Sequence, residues 1–248
     1  MNATPLAAFD SIAASYDERW TYTGAGMLQR KAVWRQLDPI IQPGDRVLDL
    51  GCGTGEDALH FTKRDASVLA VDASSEMVAH ARAKGVNAHV LRVEELARLG
   101  GTRDLVLSNF GVLNCVRNLA GLREPLACIL RPNGFLAICL MGRFCLWEFC
   151  YYALRGQFRK AARRWSGATN ASRGLRIYYP RVRQVCDALS PRFELCSDTG
   201  IGICVPPSFV PALPGGLLNT FGRIDQHIAA NKIARITADH RLLVFRRL

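Results

Sequence analysis

Between residue 45 and about residue 141, short unbroken apolar runs alternate with stretches whose apolar positions recur every three to four residues. The runs RVLDL (46–50), SVLAVD (67–72), AHVLR (88–92), DLVLSN (104–109) and FLAICLM (135–141) predict strands. Because they are continuously apolar rather than alternating, they predict a parallel sheet covered on both faces. The intervening stretches, such as Ser75 to Arg82, carry apolar residues at helical spacing. Right-handed crossovers then give an open, doubly wound α/β domain. Ile12 to Tyr16 and Leu28 to Leu37, ahead of Pro39, predict a helical leader over 1–40. Beyond 141 the pattern changes to a hydrophobic then basic stretch (142–166), a polar linker (167–175), a helix (181–189), a strand (193–196), a Pro/Gly-rich loop (205–216) and a last strand (241–245). The expectation is one domain over 1–248, with a leader or lid (1–40), a core (41–141), cap insertions with a sixth strand (142–240) and a final strand (241–248).

Composition narrows the class. With 248 residues, 49% hydrophobic and 21% charged, the chain can bury a full core and is no disordered or fibrous polymer. A net charge of +11 favours a negatively charged partner: a phosphorylated or carboxylated substrate, nucleic acid or a membrane surface. Nine cysteines, none in a Cys-x-x-Cys pair and mostly inside apolar runs, predict small core residues in a reducing compartment and no metal site. The first twenty residues lack a basic leader and meet acids early, and the most apolar window, Phe135 to Leu154, contains Arg143 and Glu148. Neither reads as a secretory signal or a membrane span, so a cytoplasmic location is expected.

Candidate chemistry concentrates in VLDLGCGTGEDA, Val47 to Ala58. A strand reaches Asp49, glycines follow at 51, 53 and 55, and a helix begins near Asp57. Glycines here permit positive φ and let a ligand approach the backbone, at the crevice beyond the carboxyl end of an open sheet. A dinucleotide site would place a third glycine where Glu56 stands. Asp49, Glu56 and Asp57 around the turn would repel a pyrophosphate by roughly one to a few kcal/mol near a surface. They suit a ligand bearing cations and no phosphate. Asp72, 17 residues past Gly55, supplies a carboxylate for ribose hydroxyls.

VLDLGCGTGEDA, VLAVDASSEMV with Asp72 at its strand end, DLVLSNFGVLN (104–114) and LRPNGFLAI (130–138) together resemble the class I S-adenosylmethionine-dependent methyltransferases of small-molecule type. The resemblance spans about residues 9–141. It implies a Rossmann-like sheet of seven strands, mostly parallel with the last antiparallel, and S-adenosyl-L-methionine as cofactor with S-adenosyl-L-homocysteine as product. It further implies that Asp49 and the backbone of Gly51, Cys52, Gly53 and Gly55 hold the methionine end. Asp72 would take the ribose, Ala73 and Met77 would flank the adenine, and Ser108, Asn109 and Phe110 would lie where the methyl emerges. Arg92 stands where many relatives carry an acid for the adenine amine, leaving Val93 and Glu94 for that contact.

Outside the core, Tyr16 could close over the sulfonium, since an aromatic face attracts a cation, and Arg30 could fork onto the methionine carboxylate. A buried structural tyrosine and an exposed arginine are the plainer readings. Asn114 and Cys115 would border the acceptor, Cys115 as a core residue rather than a nucleophile. No Ser-His-Asp spacing stands out; His240 or His227 could reach the site from the cap, and Tyr16 and His240 are the candidates for a catalytic group. Arg143, Phe144, Trp147 and Tyr151 read as a lid over an apolar acceptor, with a packed helix as the plainer reading. The basic residues from Arg155 to Arg164 suit an anionic carrier protein or an anionic lipid surface, or simply a solvated face. The expected function is O- or N-methylation of an amphiphilic small molecule by in-line transfer. An RNA-modifying enzyme and a cofactor-binding protein without turnover are the alternatives; nucleic acid is not favoured, because no separate RNA-binding module is present.

Overall fold

The computed structural model describes residues 9–171 and 174–248; the start of the leader (1–8) and residues 172–173 of the expected linker lie outside them. Seven strands form one sheet: β1 (Arg46–Leu50), β2 (Ser67–Asp72), β3 (Ala88–Val90), β4 (Arg103–Ser108), β5 (Leu130–Met141), β8 (Phe193–Ile201) and β9 (His240–Arg247). Their order is β3-β2-β1-β4-β5-β9-β8. β1 pairs in parallel with both β2 and β4, and β9 runs antiparallel between β5 and β8. The strand order reverses at β1/β4, which opens the crevice of a doubly wound sheet above the ends of these two strands.

Alternation along the strands fills both faces. Leu48, Leu50, Val106, Leu136, Ile138, Leu243 and Phe245 pack on one side, against α5 (Arg123–Ile129) and α8 (Val182–Leu189). Val47, Leu105, Leu107, Ala137, Cys139, Leu242 and Val244 pack on the other, with Val33 and Leu37 of α2 (Gly24–Leu37) and Phe61 of α3 (Glu56–Thr62). The first helix, α1 (Ala13–Tyr16), runs on into a π-helical turn, Asp17–Thr21. Arg30, Val33 and Leu37 share the buried stripe of α2, so the same periodicity that docks the helix turns one arginine inward. α4 (Ser75–Ala83) crosses between β2 and β3.

Beyond β5, α6 (Leu146–Ala153) and α7 (Phe158–Ala161) lead into a 3₁₀ turn at Arg163–Ser166. The expected polar linker is instead the first arm of a small antiparallel hairpin, β6 (Ala168–Asn170) with β7 (Arg176–Tyr178). A helix that the pattern does not announce, α9 (Gly215–Ile228), packs on α2. Its buried Asp225 accepts the backbone N–H groups of Ile203 (3.1 Å), Cys204 (2.6 Å) and Val205 (3.2 Å) and so pins the start of the Pro-rich loop. The cysteines are all free, but Cys128, Cys150 and Cys196 are exposed rather than buried.

The cap is riveted to the sheet by ions. Glu148 of α6, buried, accepts from Arg163 Nε (2.6 Å) and from Arg164 Nε and Nη2 (3.0 and 2.7 Å). Arg164 Nη2 also reaches Asp239 Oδ1 at 2.7 Å, just before β9. Burial pushes the Asp239 carboxyl up, but the neighbouring His240 and Arg164 outweigh it and hold it below the usual carboxylate range. Removing one member of such a network leaves buried charge uncompensated. Glu148→Ala is expected to cost about 3–5 kcal/mol in urea unfolding; a loss below about 1 kcal/mol would show that the cap does not depend on it.

Candidate active site

The turn after β1 has three glycines with positive φ: Gly51 (+78°), Gly53 (+52°) and Gly55 (+86°). Two of them are required by packing. A Cβ on Gly51 would sit 2.4 Å from Val112 Cγ2 in the loop after β4, and one on Gly55 would sit 2.8 Å from Val86 Cγ2. Gly53 differs: its nearest neighbour would be Tyr16 Cε1 at 4.0 Å, so its bare backbone faces open space. The turn is fastened to the end of β2. Gly53 N donates to Asp72 Oδ2 (2.9 Å) and Ser74 N to Asp72 Oδ1 (2.8 Å).

These loops enclose a cavity of about 380 Å³, within the range of small-molecule sites. Its polar wall includes Gly51 to Thr54, Asp57, Asp72, Arg30 and Asn109. Ala73, Met77, Arg92, Val93 and Glu94 line it beyond β2, and Tyr16, Trp20 and Phe110 contribute rings. The apolar wall is Phe9, Cys115, Val116, Met141, Leu175 and Ile177. Leu175 and Ile177 flank and enter β7, so the small hairpin closes the site. Phe110 holds a positive φ of 47°, a conformation costly for an aromatic residue and characteristic of functional loops.

The charges around the turn are mostly spoken for. Asp57 receives Arg30 Nη1 on Oδ2, Trp34 Nε1 on Oδ1 at 2.7 Å and Asn109 Nδ2 on Oδ2 at 3.0 Å. Glu56 accepts Tyr22 Oη (2.7 Å) and Lys84 Nζ (2.8 Å), and Lys84 also binds Asp17, which takes Thr54 Oγ1 at 2.5 Å. The expected repulsion by three bare carboxylates is therefore corrected: two are neutralised by cations 27–28 residues away in sequence. Asp49 and Asp72 have no ion-pair partner among the described residues, and both have raised carboxyl pKa values. At Asp49 burial acts first and the charge of Asp57 second; at Asp72 burial outweighs the backbone N–H groups it accepts.

Among the described residues, the buried Asp49 Oδ2, Arg30 Nε and Ser108 Oγ have no hydrogen-bond partner. Arg30 is buried, not exposed, and its guanidinium lies 4.9 Å over the Phe110 ring. Arg30 lines the cavity while Asp49 lies just behind its wall; near enough to sense each other's charge, they set opposite charges beside the turn, as the carboxylate and ammonium of an amino-acid moiety require. Asp72 keeps lone pairs for a diol. The neutral phenol of Tyr16, its pKa raised first by burial, presents a ring opposite Gly53. This donor set fits S-adenosylmethionine: cationic and zwitterionic groups are met, and no phosphate cradle is present.

Several expected site residues lie elsewhere. Asp49, Gly55 and Ser108 are behind the wall rather than in it, with Ser108 Oγ unpartnered. Asn114 is a brace: its Nδ2 donates to Tyr178 O (2.6 Å) and its Oδ1 accepts Met141 N (2.9 Å). His240 sits edge-on to Phe110 at 5.3 Å, with Nδ1 3.3 Å from Asp239 Oδ2, and does not line the cavity. Arg143, Phe144, Trp147 and Tyr151 are also absent from its wall. Arg143 Nη2 donates to Trp165 O, Phe144 lies against Trp165, Trp147 Nε1 donates to Cys204 O and Tyr151 meets Phe209. They build the cap's own aromatic layer, as the packed-helix reading of this segment requires. The pairing of Asp57 with Arg30, the Thr54 side chain and the Leu175/Ile177 pair escape sequence reasoning. Arg30 and Trp34, one helical turn apart, and the alternation Leu175-Ile177-Tyr179 are the signals that could have found them.

Comparison with known proteins agrees with this geometry. Residues 47–134 match the family described as "Methyltransferase domain". Demethylmenaquinone methyltransferases of Corynebacterium kroppenstedtii and Mycolicibacterium vanbaalenii are each 34% identical over 133 residues, covering 53% of this chain and 57% of theirs. A tRNA 5-carboxymethoxyuridine methyltransferase of Escherichia coli is 30% identical over 143 residues, 52% of this chain and 54% of its own. The chain thus spans little more than half the length of the curated relatives it matches. Among solved structures, an S-adenosylmethionine dependent methyltransferase from Mesorhizobium loti aligns with a TM-score of 0.59 at 20% identity, covering 89% of this chain and all of that one. The cyclase SpnF aligns at 0.59 and 17%, covering 97% and 94%; such likeness speaks for the fold alone. Residues 47–134 thus match the methyltransferase-domain family model, and the seven-stranded sheet that continues beyond them is similar in fold to solved S-adenosylmethionine-dependent methyltransferases.

Proposed function

We propose that this chain binds S-adenosylmethionine in the crevice at β1/β4 and methylates an oxygen or nitrogen of an amphiphilic small molecule. The observation that carries the donor half is the buried orphan pair, Asp49 Oδ2 and Arg30 Nε, set beside a glycine turn open to a ligand only at Gly53. When bound, the cofactor supplies an electrophilic methyl on sulfur. Asp72 fixes the ribose, Arg30 and, through its charge from behind the turn, Asp49 orient the amino-acid end, and Tyr16 offers a ring to the sulfonium. Holding donor and acceptor in line is worth about 7–11 kcal/mol in favourable cases. No histidine lines the cavity among the described residues, and the contribution proposed for these residues is positioning.

The acceptor half rests on the apolar wall. Cys115, Val116, Met141, Leu175 and Ile177 offer almost no hydrogen-bonding groups to read a nucleobase edge, and suit a ring or chain with one polar atom. Named relatives include enzymes of both substrate kinds, so an acceptor screen with labelled cofactor, small lipophilic phenols and amines against bulk tRNA, tests this half. Methylation of tRNA alone would replace it.

Two variants test the donor half. Asp72→Ala would strand the N–H groups of Gly53 and Ser74, so Asp72→Asn is the cleaner probe. It should weaken cofactor binding in calorimetry by about tenfold to a hundredfold, the loss of one or two charge-assisted hydrogen bonds, and unchanged affinity would remove Asp72 from the ribose. Asp49→Asn gives an opposed pair of effects. A carboxyl whose folded-state pKa is raised stabilises the fold fully only below its ordinary value, and that contribution is lost as pH rises through the raised one. The substitution should therefore raise the melting temperature of the cofactor-free protein near pH 8, with the gain fading toward about pH 4, while cofactor affinity falls. A lower melting temperature at both pH values would contradict the assignment of Asp49 as an unsatisfied acid.

A further inference from the structure

The longest stretch without an acid runs from 149 to 186, where nine residues are Lys or Arg. Glu148 consumes two of these charges, Arg163 and Arg164. Arg155, Arg159 and Lys160 form no ion pair among the described residues; Arg155 instead lies 3.7 Å over the Tyr151 ring, and Lys160 5.6 Å over Tyr152. Every residue from Leu154 to Lys160 is exposed. Within this run two large apolar side chains stand in solvent, Leu154 at 86% and Phe158 at 67% exposure, and Trp165 follows at 52%. The aromatic rings behind them are packed: Tyr151 and Tyr152 against Phe209, and Phe149 stacked on Trp165. The α6–α7 corner is thus a firmly backed platform from which apolar tips and unpaired cations project together.

A solvated basic face would not expose Leu154 and Phe158, and a protein-docking face would bury cations against discrete acids. Apolar tips ringed by long, unpaired cations match one kind of surface, the boundary between anionic headgroups and acyl chains. We propose that the α6–α7 corner docks the protein on anionic lipid bilayers, with Leu154 and Phe158 inserted below the headgroups and Arg155, Arg159 and Lys160 among them. Among the described residues no helix is long and apolar enough to cross a membrane, so the attachment is peripheral. The corner joins the cavity through the hairpin. Arg143 ties to Trp165 O, Tyr179 N donates to Gly167 O, and β7 carries Ile177 of the apolar wall. That the bilayer delivers the methyl acceptor rests on the function proposed above; the docking itself does not.

Co-sedimentation of the purified full chain, without cofactor, tests the docking separately from the reaction. The vesicles are phosphatidylcholine alone, or phosphatidylcholine with phosphatidylglycerol. Binding to the anionic vesicles only is expected, falling as salt rises. R155Q/R159Q/K160Q should weaken it by about 100-fold, three charges at ~1 kcal/mol each, and L154S/F158S by about tenfold or more. Both variants alter exposed side chains and should keep the parent melting temperature, which separates lost docking from lost folding. Failure to bind the anionic vesicles, equal binding to neutral ones, or undiminished binding by either variant overturns the proposal, as does capture by an acidic carrier protein or RNA without any vesicle binding. A positive result with no methylation of any acceptor would leave the docking standing and count against the catalytic reading alone.

Discussion

One buried carboxylate sets the terms for the rest of the site. Asp57 gathers Arg30 and Trp34 from α2 and Asn109 from the loop after β4, so three segments distant in sequence meet at a single group. Neutralising Asp57 costs α2 most of its inward charge, and Arg30 is held over Phe110 with its buried Nε unpartnered. The same carboxylate stands close enough to Asp49 to oppose its ionisation. Asp49 is thereby left without a cation of its own. A protein that needed only to be folded would gain by removing that acid; its retention makes sense where a positive ligand completes the set. Donor recognition as proposed then rests on Arg30 and the unpaired charge of Asp49, not on a generally negative crevice.

The difference matters for what a sequence can disclose. β1 and β2 fall where their unbroken apolar runs end, because burial on both faces leaves no polar position to blur the boundary. The glycine turn is legible for a similar reason, since clashes at Gly51 and Gly55 and an open approach at Gly53 are backbone constraints that only glycine meets. Charge compensation is not legible in this way. Arg30 with Asp57, and Lys84 with Glu56, lie 27 and 28 residues apart, and counting carboxylates around the turn overstated its negative character. The pairing of β6 with β7 is hidden by short strands in a polar composition, though Leu175, Ile177 and Tyr179 alternate as a strand should. α9 is hidden because its stripe is thin: Leu218, Gly222 and Asp225 are buried while Leu217 and Ile224 are exposed.

The cap repeats the logic of the core with opposite sign. Glu148 and Asp239 are buried acids that bind Arg164 between them, so the inward-facing basic charge of this segment is consumed. What remains basic is at the α6–α7 corner, inside the stretch from 149 to 186 that carries no acid. Burying the acids inside and leaving the cations outside gives a segment that is rigid toward the sheet and strongly one-signed toward solvent. The aromatic residues read in sequence as a lid serve this division by stacking beneath the exposed tips rather than over the cavity.

The cavity is consequently a composite of two kinds of chain. The glycine turn, Asp72 and the loop after β4 belong to residues 47–134, the part that matches the methyltransferase domain. Tyr16 and Arg30 precede that part; Met141, Leu175 and Ile177 come after it. Likeness within the shared part therefore bears on the methyl donor and says little about the acceptor, whose wall is supplied mainly by segments outside it. The same sheet supports a cyclase in another protein, as it should if flanking segments decide the reaction and the scaffold only presents them. In this chain those flanks bring an apolar wall without a base and join it, through one hairpin, to a corner where apolar and cationic side chains face solvent together. An acceptor that is apolar enough to fill the wall would partition into a bilayer, and β7, which carries Ile177 of that wall, is tied at Tyr179 to Gly167 in the segment that follows the corner proposed to dock there.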